Sequence, residues 1–262
     1  MPRARLYRDH RWHPTRAPQL SVGESIGYGR RQHQEDALWW RVWEGAGVFV
    51  AFDGMGGHAT GYLATEAAVR VFDARAPDTP AATVAAIQET HRRIMALERE
   101  APALRGVSTT LAALVIEHGA AHVIWAGDSR IYRWRDGRLT QLTTDDSLLE
   151  HALARGMLTT PEEIEAFPYH HVVVNTIGLP NAASGALSHI TEPVLPGDRY
   201  LCCTDGITRH TPNAQLTAAL AARHRPPQAV ADTLARLAEQ HPHADNHAAI
   251  VVDVGLDDDL ER

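Results

Sequence analysis

The chain has 262 residues, 44% hydrophobic and 22% charged, which is enough apolar material for a sizeable core and too much for a disordered chain. Its 25 Lys and Arg against 32 Asp and Glu leave a net charge of −7, the wrong sign for a nucleic-acid partner. No apolar run approaches the roughly 18 residues of a membrane helix, so neither a membrane anchor nor a secretory leader is expected.

Arg3, Arg5, Arg8, Arg11 and Arg16 precede any apolar stretch, and residues 1–20 read as a solvated basic arm. Residues 21–256 read as one domain without repeats or low-complexity linkers, and 257–262 as an acidic tail. Short runs rich in Val, Ile and aromatics predict strands at Val48–Phe52, Leu111–Ile116, His122–Trp125, Val172–Val174, Tyr200–Cys203 and Ala249–Val254. Good helix formers predict helices over Thr60–Arg75 and Ala82–Leu104, the second with Val84, Ile87, Ile94 and Leu97 as an apolar stripe. Ile131–Trp134 followed by Asp136-Gly137 is a hairpin signal. Residues from about 145 to 180 break the strand pattern with a Leu-rich helix (Leu148–Arg155), a Pro161–Glu163 helix start and loop, and read as a flap. Helices near Ala214–Arg223 and Pro227–Gln240 precede the last strand. Strands and helices each come in runs, which predicts an α+β fold with largely antiparallel sheets. Cys202 and Cys203 are adjacent inside an apolar run, a poor geometry for a mutual bridge, and read as core thiols of a reducing, cytoplasmic compartment. The sixteen histidines show no metal-ligand spacing and read as compositional.

Aspartates recur where strands end. Asp53 closes Val48–Phe52 and precedes Gly54-Met55-Gly56-Gly57; Asp128 follows His122–Trp125 across a Gly; Asp205 follows Tyr200–Cys203 and precedes Gly206; Asp245 stands just before the final strand. Asp before Gly is also an ordinary turn former, so each alone says little. Four such acids converging would repel one another unless a cation sat among them. Carboxylates and carbonyls without Cys or clustered His suit Mg²⁺ or Mn²⁺ rather than Zn²⁺. Two such ions can hold a bridging hydroxide and polarise a phosphoryl oxygen.

These residues resemble the metal-dependent protein phosphatases, the type 2C serine/threonine family. Arg31-Gln32-His33-Gln34-Glu35-Asp36-Ala37 is similar to its first motif and Phe52-Asp53-Gly54-Met55-Gly56-Gly57-His58 to its bacterial metal-binding motif. Ser108-Thr109-Thr110-Leu111, Ala126-Gly127-Asp128-Ser129-Arg130, Gly197-Asp198 leading to Cys203-Thr204-Asp205-Gly206, and Asp245-Asn246 follow in the family's order. The resemblance runs from about Gly27 to Val254. It implies two antiparallel sheets packed as a sandwich between helix pairs, with the metals in the cleft between the sheets.

The resemblance further implies that Asp53 bridges two Mn²⁺ or Mg²⁺ ions, that the Gly54 carbonyl binds one, and that Asp205 and Asp245 hold the other. Asp36 acts on the metals through water, and Asp128 matches an acid holding a weaker third ion. Glu35 is the weaker assignment, because strand neighbours face opposite ways. Arg31 matches the residue that grips the substrate phosphate, a task suited to a guanidinium fork. His58 has the chemistry to protonate the leaving oxygen. Other members place a His directly after the first Asp-Gly, where this chain has Met55, so support of the glycine loop is the other reading of His58. Gln34 stands where relatives usually have Asn, and Asp146 where many bacterial relatives have His; Ile177-Gly178 replaces a Leu-Gly that often follows an Arg. The expected protein is a cytoplasmic, stand-alone, monomeric bacterial phosphatase acting on phosphorylated proteins opposite a cognate serine/threonine kinase. An inactive binding module on this fold, or a hydrolase of a small phosphoester, is the alternative.

Overall fold

The computed structural model describes residues 18–57, 59–179 and 186–255. In chain order these form β1 (Gln19–Gly27), β2 (Asp36–Trp43), β3 (Ala46–Met55), α1 (Tyr62–Arg75), α2 (Pro80–Glu100), β4 (Ser108–Thr109), β5 (Leu111–Glu117), β6 (Ala120–Ala126), β7 (Arg130–Arg135) and β8 (Arg138–Gln141). The flap helices α3 (Leu148–Ala154) and α4 (Pro161–Glu165) follow, then β9 (Ser188–Pro193), β10 (Arg199–Cys203), α5 (Asp205–Thr208), α6 (Asn213–Ala221), α7 (Pro227–Glu239) and β11 (His247–Gly255).

Among the described residues the strands build two antiparallel sheets, β1-β11-β10-β7-β8 and β2-β3-β5-β6-β9, with β4 paired to β3. The sheets face each other across a core that includes Phe49, Leu114 and Val123 from one and Tyr200, Cys202 and Ile250 from the other. Side-chain alternation decides what covers the outer faces. In β10, Tyr200 and Cys202 point between the sheets, while Leu201 and Cys203 point outward against α6 and α7. On the opposite side, Val48, Val50 and Phe52 of β3 meet Ala68 and Phe72 of α1 and Ile87 and Ile94 of α2. The α+β sandwich between helix pairs is therefore present. Both cysteines are buried and free. No helix of the described residues is long and apolar enough to cross a membrane.

Three local readings change. Val172–Val174 is not a strand: Val173 alone bridges to Ser147, and Val172 is 41% exposed, because this apolar run lies in the flap beyond reach of a sheet edge. The helix expected over Ala82–Leu104 starts earlier, with Thr79 capping the Ala82 amide and Pro80 in the first turn, and it ends at Glu100 before Pro102 opens a short 3-10 turn. Strands β1, β2 and β9 have no counterpart among the predicted runs, and β1 includes Gln19 and Leu20 of the expected arm.

Candidate metal centre

Each expected acid sits where a strand meets a loop. Asp53 lies near the end of β3 with Asp36 opposite it in register at the start of β2. Asp128 follows β6 across Gly127, Asp205 opens α5 behind β10, and Asp245 precedes β11. One carboxylate oxygen each from Asp53, Asp128 and Asp205 come within 4.8 Å of one another. Asp36 and Asp245 line the same cleft of about 270 Å³, with Arg31 at its edge.

The loop motifs hold this arrangement. Asp53 O accepts from Thr110 N at 2.9 Å and from Thr109 Oγ1 at 3.0 Å, and Thr110 Oγ1 shares a hydrogen bond with Ser129 Oγ at 2.7 Å. The turns carrying Asp53 and Asp128 are thus tied together. Gly127 is required there: its φ is +105° and an added Cβ would lie 2.6 Å from Thr110 Cβ. A Cβ on Gly206 would meet Asn246 O at 1.8 Å, so only glycine lets the segment carrying Asp205 approach the one carrying Asp245. Thr204 Oγ1 donates to Asp36 Oδ2 at 2.7 Å. Asn246 Oδ1 accepts from Glu35 N at 2.9 Å, and its Nδ2 donates to Tyr28 O at 3.1 Å, which fixes the loop bearing Arg31.

Glu35 lines the cleft as a support: its Oε1 accepts from Gly61 N at 2.6 Å and its carbonyl from Gly54 N at 3.1 Å. Gln34 closes the β1–β2 turn, donating to Gly27 O at 2.7 Å and accepting from Asp36 N at 2.8 Å. Asp146 Oδ2 accepts from Gly127 N at 3.0 Å and Asn175 Nδ2 at 2.8 Å, and so fastens the flap's return to the turn carrying Asp128.

Burial, then the repulsion of neighbouring acids, holds Asp53 well above the usual carboxylate range. Burial does the same for Asp36, against a lowering hydrogen bond from Thr204. Asp128 is pushed up to about 7, by burial first and Asp205 next. Asp205 is raised by burial, partly offset by Arg209. Carboxylates so raised favour protonation or a cation. The donors are oxygens throughout, carboxylates with the Gly54 carbonyl beside them, so the residues fit Mn²⁺ or Mg²⁺.

Arg31 is 56% exposed and donates to Asp245 Oδ2 at 2.8 Å. His58 lies outside the described residues. Two cleft residues escaped the sequence reading: His171, which enters from the flap, and Arg209, which pairs with Asp205 and Asp245. The spacing of Arg209 four residues after Asp205 was the available signal; for His171 there was none.

The model of the family described as Protein phosphatase 2C matches residues 27–249. The chain belongs to that family. It is similar to the serine/threonine protein phosphatase PstP of Mycobacterium tuberculosis, 32% identical over 189 residues, or 68% of this chain and 34% of that protein. The chain thus spans about a third of that relative's length. Protein phosphatase PhpP of Streptococcus pneumoniae is 29% identical over 247 residues, covering 92% of this chain and 99% of that one. Among solved structures, the catalytic domain of PstP in complex with two manganese ions superposes with a TM-score of 0.77 at 28% identity, covering 90% of this chain and 99% of that one. The family and its sandwich are as the sequence implied.

Proposed function

We propose that this protein phosphatase 2C member is a metal-dependent serine/threonine protein phosphatase. The convergence of the Asp53, Asp128 and Asp205 carboxylates in one cleft with Arg31 carries the reading, and the names of its relatives support the substrate class. Mn²⁺ or Mg²⁺, when bound, supplies an acidified water and a Lewis acid toward phosphoryl oxygens.

The chain's own residues do the rest. Asp53 and the Gly54 carbonyl, with Asp205 and Asp245, would hold two ions, Asp36 would act through water, and Asp128 would hold a weaker third. Arg31, exposed at the cleft edge, orients the phosphoryl group through two parallel N–H donors. His58 is assigned the proton for the departing serine or threonine oxygen. The protein works as a cytoplasmic monomer and reverses the action of a serine/threonine kinase.

A panel of phosphoserine, phosphothreonine and phosphotyrosine peptides, assayed with Mn²⁺ and with chelator, tests the reading. Mn²⁺-dependent release of phosphate from the first two is expected. Turnover that survives chelation, or that is confined to small phosphoesters, contradicts it.

A further inference from the structure

Arg209 has no part in the assignments above. It caps the C-terminus of α5, one turn after Asp205. Its guanidinium donates to Asp205 Oδ2 and, at 3.4 Å, to Asp245 Oδ2, and these are the two acids assigned to one ion. The same Asp245 oxygen accepts from Arg31 at 2.8 Å, while Oδ1 accepts from Asn246 N at 2.8 Å. A carboxylate oxygen offers two lone pairs, so Asp245 Oδ2 is engaged by both guanidinium groups and a cation taking that oxygen displaces one, while Oδ1 keeps one acceptor site. Arg209 is the stronger obstacle. It is 28% exposed against 56% for Arg31, and it touches both acids where Arg31 touches one. Being tethered by its own helix, it competes at a high effective concentration.

We propose that Arg209 is an internal counter-ion of the metal centre. In the metal-free protein it bridges Asp205 and Asp245 and holds them together against their repulsion. An ion taking the oxygens it holds, Asp205 Oδ2 and Asp245 Oδ2, displaces it, which raises the Mn²⁺ concentration at which the centre fills. Arg209 is thus a positioning residue acting through the two acids. The inference rests on the metal-dependent reading above. Its opposite is also physically definite: a guanidinium that supports ligands in the loaded site strengthens metal binding, and its removal weakens it. The sign of the affinity change separates the two.

Calorimetric titration of metal-stripped protein with Mn²⁺ alone, on wild type, Arg209→Gln and Arg209→Lys, makes the measurement. Arg209→Gln is expected to bind Mn²⁺ about tenfold tighter or more, the lower bound for losing a charge-assisted contact. Arg209→Lys, which keeps the charge without the fork, falls between. Metal-free Arg209→Gln should melt below wild type, and the gap should close at saturating Mn²⁺. Unchanged or weaker Mn²⁺ binding by Arg209→Gln overturns the proposal, and should that variant fail to fold without metal, unchanged or weaker binding by Arg209→Lys does so. Mn²⁺ binding by wild type with any such order leaves the metal-dependent reading standing. No Mn²⁺ binding by wild type overturns both.

Discussion

Ionising Asp53 is opposed first by burial and then by Asp36, Asp205, Asp128 and Asp245 around it, so the metal-free fold is stable in spite of this residue. Asp53→Asn removes the ionisable group and keeps the shape. It should abolish turnover and the Mn²⁺-induced rise in melting temperature, yet melt above wild type when both are metal-free; near-normal Mn²⁺-dependent turnover would place the bridging role elsewhere. Arg31→Ala removes the charge-assisted phosphate contact proposed for this residue and should lower kcat/KM roughly 10- to 150-fold, mainly through KM, with Lys recovering part of the loss. Steady-state kinetics on a phosphothreonine peptide decide it, and wild-type values would return Arg31 to the solvated surface. The acids were legible because each ends or flanks an apolar run beside a loop. Arg209 was legible only in its spacing from Asp205, because its other contact is with Asp245, 36 residues further along the chain.

Among the elements, the strands legible in sequence are those buried on both faces. Val48–Phe52 and Ala249–Val252 are covered by a facing sheet on one side and helices on the other, so they read as unbroken apolar runs. β1, β2 and β9 lie at sheet edges, with Trp40 and Ile190 exposed, and owe their strand state to backbone pairing that side-chain patterns do not announce. Val172–Val174 is the converse, an apolar run without a strand to pair with. The same outer layer contains a buried charge. Arg199 is fully buried, paired through two nitrogens with Asp253 at 2.6 and 2.7 Å, and donates to the carbonyls of Leu220, Ala222 and Arg225. It anchors the end of α6 to β10 and β11. Arg199→Met leaves Asp253 with only Arg223 and three carbonyls without this donor, and should cost about 3–5 kcal/mol in urea unfolding. A loss below about 1 kcal/mol would show that the anchor is dispensable.

For the whole molecule, the raised carboxylates link metal, protons and stability. Asp36, Asp53, Asp128 and Asp205 all take up protons at higher pH in the metal-free fold than in the unfolded chain. The contribution of Asp128, pushed up to about 7, is therefore full below about pH 4 and is lost as pH rises through about 7, and the other three acids shift in the same direction. Mn²⁺ competes with those protons, so its stabilisation of the fold should be larger at about pH 8 than at about pH 5. Melting temperatures with and without Mn²⁺ at the two pH values check this, and equal increments would mean that the acids do not receive the ion. The most direct test of the central claim, that these converged acids hold the ions on which phosphoester hydrolysis depends, is a stepwise Mn²⁺ titration of metal-stripped protein. Bound metal and phosphate released from a phosphothreonine peptide are followed in the same sample, for wild type and Asp53→Asn. Release should be absent without metal and rise as the sites fill in wild type, and stay at background throughout in Asp53→Asn; release that precedes metal binding, or that Asp53→Asn retains, would contradict it.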